Sequence, residues 1–129
     1  MELVSIVAAL VLLQYAGYVR KAGAARGRFG VPAPATTGNE DFERQLRVQS
    51  NTVEQLVIFL PALFLFAYYV HAEVAAGLGL VFMVGRSLYA RAYVKDPARR
   101  GPGFLLTVLS NMALTLGALV GAGLRLFST

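Results

Sequence analysis

Apolar residues gather in four long blocks, and the polar residues fall almost wholly between them. Leu3 to Val19 is a run of 17 residues whose least apolar members are Ser5, Gln14 and Gly17. At 1.5 Å per residue such a run spans about 25 Å, which is most of a bilayer core. The pattern therefore predicts a first membrane helix over about residues 3–20. Lys21 to Asp41, rich in Gly, Ala and Pro, reads as a loop on the membrane surface. Asn39, Glu40, Asp41 and Glu43 then place negative charge where a second helix begins, which suits the positive end of its dipole. That helix is expected from about Phe42 to His71, with residues 47–70 as its membrane part and Pro61 bending it.

A tight turn, His71 to Glu73, leads into a third helix over about residues 74–93, and a basic turn, KDPARRGPG, precedes a fourth over about residues 104–125. Asp96 before Pro97 reads as a helix cap with its first-turn partner. In the fourth block, Gly117 and Gly121 allow close helix packing and mark a candidate oligomer face. Residues 1–129 form one all-α integral membrane domain in this reading, a four-helix bundle.

Composition supports a membrane protein: 57% of the residues are hydrophobic. A secretory signal would carry positive charge ahead of its apolar run, whereas here Glu2 precedes and Arg20 and Lys21 follow, so the first block is expected to stay as an anchor. With no Cys and one His, neither a protein thiol nor a His-rich or thiolate metal site is available, and any reactive sulfur must arrive with a ligand. No metal site is expected. The net charge of +5 does not point to nucleic acid, because 11 of the 12 basic residues lie between Arg20 and Arg47 or between Arg86 and Arg100. That asymmetry puts both longer connections in the cytoplasm and both termini on the opposite side.

The chemistry concentrates where polar sequence passes into membrane helix. Arg47, Asn51 and Glu54 recur at i, i+4 and i+7 and share one helical stripe, with Ser50 beside them. An interfacial helix end with snorkelling charges explains the same residues. The third block reaches Arg86 after only 12 residues, about 18 Å of helix, so this Arg must lie inside the membrane or in a wet cavity. A guanidinium at that depth costs at least about 2.5 kcal/mol and needs a partner, for which Glu54 is the expected one. Tyr89 and Tyr93 follow on the same face. The convergence of cations around one carboxylate suits a small peptide-like anion with an ammonium group, its carboxylates gripped by Arg26, Arg47 or Arg86, its amine by Glu54 and its amides by Gln49 and Asn51.

The stretch ERQLRVQSNTVE, Glu43 to Glu54, resembles the ERxxRxQxNxxE signature of the membrane-associated proteins in eicosanoid and glutathione metabolism. Arg26 with Phe29, Val31 and Thr36-Thr37-Gly38, and later Arg86-Ser87-Leu88-Tyr89-Ala90-Arg91-Ala92-Tyr93, follow the same family pattern in order, so the resemblance covers about residues 24–100. It implies a homotrimer of four-helix subunits with glutathione, as co-substrate, bound between neighbours near the cytoplasmic face. It also implies that Arg26, Arg47, Gln49, Asn51, Glu54, Arg86, Tyr89 and Tyr93 hold glutathione and that Arg100 faces the thiol. A guanidinium beside a thiol of ordinary pKa, near 8.5, favours the thiolate. The thiolate would attack a lipophilic electrophile or a peroxide arriving through the bilayer.

Two departures stand out: Gln55 where the family's leukotriene-forming synthase has Tyr, and Gly27 in place of an arginine next to Arg26. The eicosanoid substrate is accordingly not carried over. The enzyme reading competes with a non-catalytic scaffold of the same family that binds a lipid or a partner protein. A small transporter is weaker, since no internal repeat or pair of broken helices is visible.

Overall fold

The computed structural model describes residues 1–128, and its secondary structure is α-helical apart from one short 3₁₀ turn. The helices are α1 (Glu2–Arg28), α2 (Glu40–Tyr69), α3 (Ala72–Lys95) and α4 (Gly101–Phe127), with the turn at Pro97–Arg99 ahead of α4. All four are long and apolar enough to span a membrane. Large apolar side chains such as Leu13 (68% exposed) and Leu119 (69%) point outward along the bundle, the surface that lipid, and not water, covers.

The expected loop between the first two helices is shorter than its composition suggests. α1 continues through Lys21 to Arg28 and so replaces the first part of the loop read at Lys21 to Asp41. Ala, Lys and Arg supply strong helix propensity there, and Gly23 and Gly27 each cost only about 1 kcal/mol. The helix stops where Gly30 takes φ +66° and Pro32 follows. α2 starts at Asn39, whose side chain accepts from the Phe42 N–H, and α3 starts at His71, whose ring accepts from the Val74 N–H. Asp96 likewise accepts from the Ala98 N–H, as its place before Pro97 predicts.

α2 and α3 form the centre of the bundle, each packing on both α1 and α4. Val4, Val7 and Val11 of α1 meet Phe59 and Leu63 of α2, Phe82 of α3 and Leu114 of α4, with Phe59 and Phe82 stacked at 3.9 Å. α3 and α4 cross with their backbones in near contact. A Cβ on Gly103 would stand 2.2 Å from the Tyr89 amide nitrogen, and one on Gly85 would stand 3.0 Å from that of Thr107. Gly117 and Gly121 are occupied within the chain, against Phe66 and the Tyr69–Val70 segment of α2. They form an internal packing stripe, the close helix packing that their spacing allows. Gln14 bonds across to α3, donating to the Met83 carbonyl and to Ser87 Oγ at 2.9 Å each.

Candidate functional site

The α3–α4 crossing places Tyr89, Tyr93 and Phe104 in one aromatic wall, with ring centroids 5.5 Å apart for the two tyrosines and 6.2 Å for Tyr89 and Phe104. α2 closes the facing side with Arg47 and Asn51, one turn apart. The start of α4 supplies Arg100. These six residues line one open cavity of about 390 Å³ at the polar end of the bundle.

Its polar groups are poised for a ligand. Asn51 is buried and its Oδ1 has no hydrogen-bond partner, so an acceptor faces a site that can offer it an N–H. Arg47 is half exposed and pairs with Glu54, Nη1 to Oε1 at 3.4 Å. Two charges this exposed hold each other weakly and can be re-paired. Arg100 is exposed, and its guanidinium donates to the Pro97 carbonyl at 2.8 Å. Its neighbour Arg99 pairs with Asp96 at 3.8 Å and does not line the cavity.

Arg86 lies beneath this cavity and is fully buried. Its partner is not Glu54. Nη2 donates to Thr52 Oγ1 at 2.9 Å and Nη1 lies 3.4 Å from Thr107 Oγ1, while the guanidinium sits over the Tyr89 ring, 4.4 Å from its centroid. The correction follows from helix azimuth. Residues 52 and 54 are about 200° apart around a helix, so with Thr52 facing α3, Glu54 must face away. Glu54 instead shares its stripe with Arg47. Both threonines pass the bond on to their own helices, Thr52 to the Val48 carbonyl at 2.7 Å and Thr107 to that of Gly103 at 3.0 Å. Arg86 thus ties α2, α3 and α4 together with hydroxyls, and Nε remains unpaired.

Arg26 and Gln49 do not reach the cavity of their own chain. Arg26 stacks over Phe42, 4.7 Å from the ring centroid, and donates to the Ala35 carbonyl at 2.8 Å, which ties down the 29–39 connection. Arg44, at the helix entry, bonds Glu40 and the carbonyls of Val94 and Lys95. Gln55 accepts from Asn111 Nδ2 at 3.0 Å and links α2 to α4. Phe104, Thr52 and Thr107 escape a reading of the sequence by charge alone. The polar interruption of an apolar helix at Thr107 is the signal that could find one of them.

A four-helix membrane protein with a cationic, aromatic-walled cleft at one end of its bundle is the class that fold and site define. The chain belongs to the MAPEG family, whose sequence pattern it matches over residues 2–120. It is 51% identical over 116 residues to an uncharacterized protein of Synechocystis sp., covering 90% of this chain and 85% of that one. It is 37% identical over 118 residues to microsomal glutathione S-transferase 2 of Homo sapiens, covering 91% and 80%. Leukotriene C4 synthase of Bos taurus is 37% identical over 76 residues, which is 59% of this chain and 51% of the synthase.

Proposed function

We propose that this protein is a membrane-bound glutathione transferase that joins the glutathione thiolate to a lipophilic electrophile, or uses it to reduce a lipid-borne peroxide. The observation that carries this reading is the convergence of Arg47, Asn51, Tyr89, Tyr93 and Arg100 on one cavity. The names of the similar transferase and synthase support the glutathione-using class.

In this reading Arg47 leaves Glu54 to grip a glutathione carboxylate, and Glu54, so released, takes the ammonium group. The unpaired Asn51 Oδ1 accepts a peptide N–H of the ligand, and the two tyrosines supply hydroxyls above the aromatic wall. Arg100 exchanges the Pro97 carbonyl for the sulfur. Its charge favours loss of the thiol proton to water, and the thiolate then forms a C–S bond as the leaving group departs or an epoxide opens to an alkoxide that water protonates. With a lipid hydroperoxide, the thiolate takes the terminal oxygen to become a sulfenic acid as the O–O bond breaks and the lipid alkoxide leaves, protonated by water to the alcohol. A second glutathione thiol then condenses with the sulfenic acid to give disulfide and water.

Arg86 lies behind Tyr89, not in the cavity, and its role becomes that of a fixed positive charge beneath the ligand. Arg26 and Gln49 lie outside the cavity of their own chain, and a homotrimer in which each chain lends them to its neighbour's site would give both a place. The site then faces the cytoplasm, with the whole chain acting as one domain. The test is equilibrium dialysis of detergent-purified protein with radiolabelled glutathione, followed by conjugation to a hydrophobic aryl halide. Saturable binding and conjugate formation in wild type, with binding weakened in Arg47→Ala, is expected. Glutathione binding without any conjugate or peroxide turnover would count against the enzyme reading, and no binding would reject it outright and leave the scaffold that binds a lipid or a partner protein.

A further inference from the structure

A second cleft lies between α1 and α3 and shares no residue with the cavity just described. Its deep arm, about 460 Å³, is lined by Leu13, Gln14, Gly17, Tyr18, Ala90 and Val94 among others, and carries Lys21, Arg91 and Lys95 at its polar end. A second arm of about 440 Å³ shares Lys21, Gln45 and Val94 with the first and continues outward past Arg28, Phe29 and Asp41. The two form one groove running from the membrane surface into the bilayer.

Charge and shape along this groove are those of an amphiphile. Lys21, Arg91 and Lys95 come from two helices, are exposed, and make no ion pair among the described residues. Gln14 lies two helical turns below Lys21, about 10 Å deeper, and between them Gly17 leaves open space where a side chain would stand. A free inorganic anion would use the cations and leave the deep arm empty. A neutral lipid would fill the arm and leave three cations without a counter-charge. Three other cations at this end, Arg44, Arg47 and Arg99, each pair with a carboxylate of the same chain, whereas Arg26 and Arg100 bond backbone carbonyls. It is therefore the grouping of Lys21, Arg91 and Lys95 around one apolar arm, and not the lack of a pair by itself, that marks the groove.

We propose that the α1–α3 groove is a binding site for an anionic phospholipid, its phosphate held by Lys21, Arg91 and Lys95, its headgroup in the outer arm and one acyl chain in the deep arm beside Gly17. Occupancy would pin the inner end of α1 to α3, where Gln14 donates to the Met83 carbonyl and to Ser87 and the Tyr18 hydroxyl donates to the Arg86 carbonyl at 3.2 Å.

The experiment is native mass spectrometry of delipidated protein in a neutral detergent, offered phosphatidylglycerol and phosphatidylcholine in equal amounts. Wild type is expected to retain phosphatidylglycerol selectively. Each of Lys21→Gln, Arg91→Gln and Lys95→Gln should lower that retention by about five-fold, the factor that 1 kcal/mol per surface cation represents. Gly17→Phe adds bulk beside the deep arm without changing charge, at a position where a Cβ meets nothing within 4 Å, and should lower retention as well. Soluble glycerol phosphate should fail to displace the lipid. Equal retention of the two lipids by wild type, an equal loss in the off-groove variant Arg20→Gln/Arg99→Gln, full retention in Gly17→Phe, or displacement by glycerol phosphate would each overturn the proposal.

Discussion

Arg86 and Arg100 present the same guanidinium on either side of the Tyr89 wall, yet they are held in opposite ways. Arg86 is fully buried, fixed by two threonine hydroxyls and the face of Tyr89, and pairs with no carboxylate among the described residues. Arg100 is exposed and holds one carbonyl three residues back. The difference separates two uses of positive charge in a membrane. A buried guanidinium held by neutral hydroxyls keeps its net charge and projects it. An exposed one with a single weak partner can move to a ligand.

The largest expected effect comes from the crossing that sets this arrangement. In Gly103→Ala the new Cβ would meet the Tyr89 backbone, which cannot give way as a side chain could. A loss of about 3 kcal/mol or more is expected, the upper end of overpacking costs, read as a lowered thermal midpoint in detergent. Arg100→Ala should leave the fold intact and slow conjugation by about 10- to 100-fold at neutral pH, the consequence of a thiol pKa higher by one or two units. Arg47→Ala should weaken glutathione binding by about ten-fold, with a smaller effect on turnover of bound ligand. These two sharpen the comparison, since the proposed function has Arg100 act on the sulfur and Arg47 on a carboxylate.

Arg86→Met probes the buried side. Replacing an uncompensated buried charge by an apolar chain of similar length should change stability by no more than about 1 kcal/mol, or raise it, because no carboxylate is orphaned. Both threonines keep the carbonyls of their own helices. Glutathione affinity should nonetheless fall. If Arg86 were only a clamp, stability would drop and the affinity of the remaining folded protein would not. The smallest effect belongs to Glu54→Gln, which should shift stability by less than about 0.5 kcal/mol, because the Arg47–Glu54 pair is exposed. A large loss there would restore Glu54 as a buried counter-charge.

The number, order and approximate limits of the helices are legible in the sequence because a bilayer demands long uninterrupted apolar runs, and these cannot hide. What lies beyond the bilayer is harder to read. From Lys21 to Arg28 the composition looks loop-like, yet the residues between the glycines favour helix, and α1 runs on until Gly30 and Pro32 stop it. The depth of Arg86 is legible from the 12 residues that precede it, whereas its partner is not, because depth says nothing of direction around the helix axis. Thr52 and Glu54 lie about 3 Å apart along the axis but on opposite faces. Arg47, Asn51, Tyr89, Tyr93 and Arg100 do converge. Arg26 and Gln49 carry the family's pattern without entering the cavity of their own chain, a consequence of side-chain direction that no motif encodes.

The most direct measurement is a pH titration of thiolate absorbance for glutathione bound to detergent-purified protein, wild type against Arg100→Ala. A wild-type midpoint well below the free-thiol value of about 8.5, rising by a unit or more in the variant, is the expected result. Superimposable curves would contradict an exposed Arg100 that moves to the sulfur.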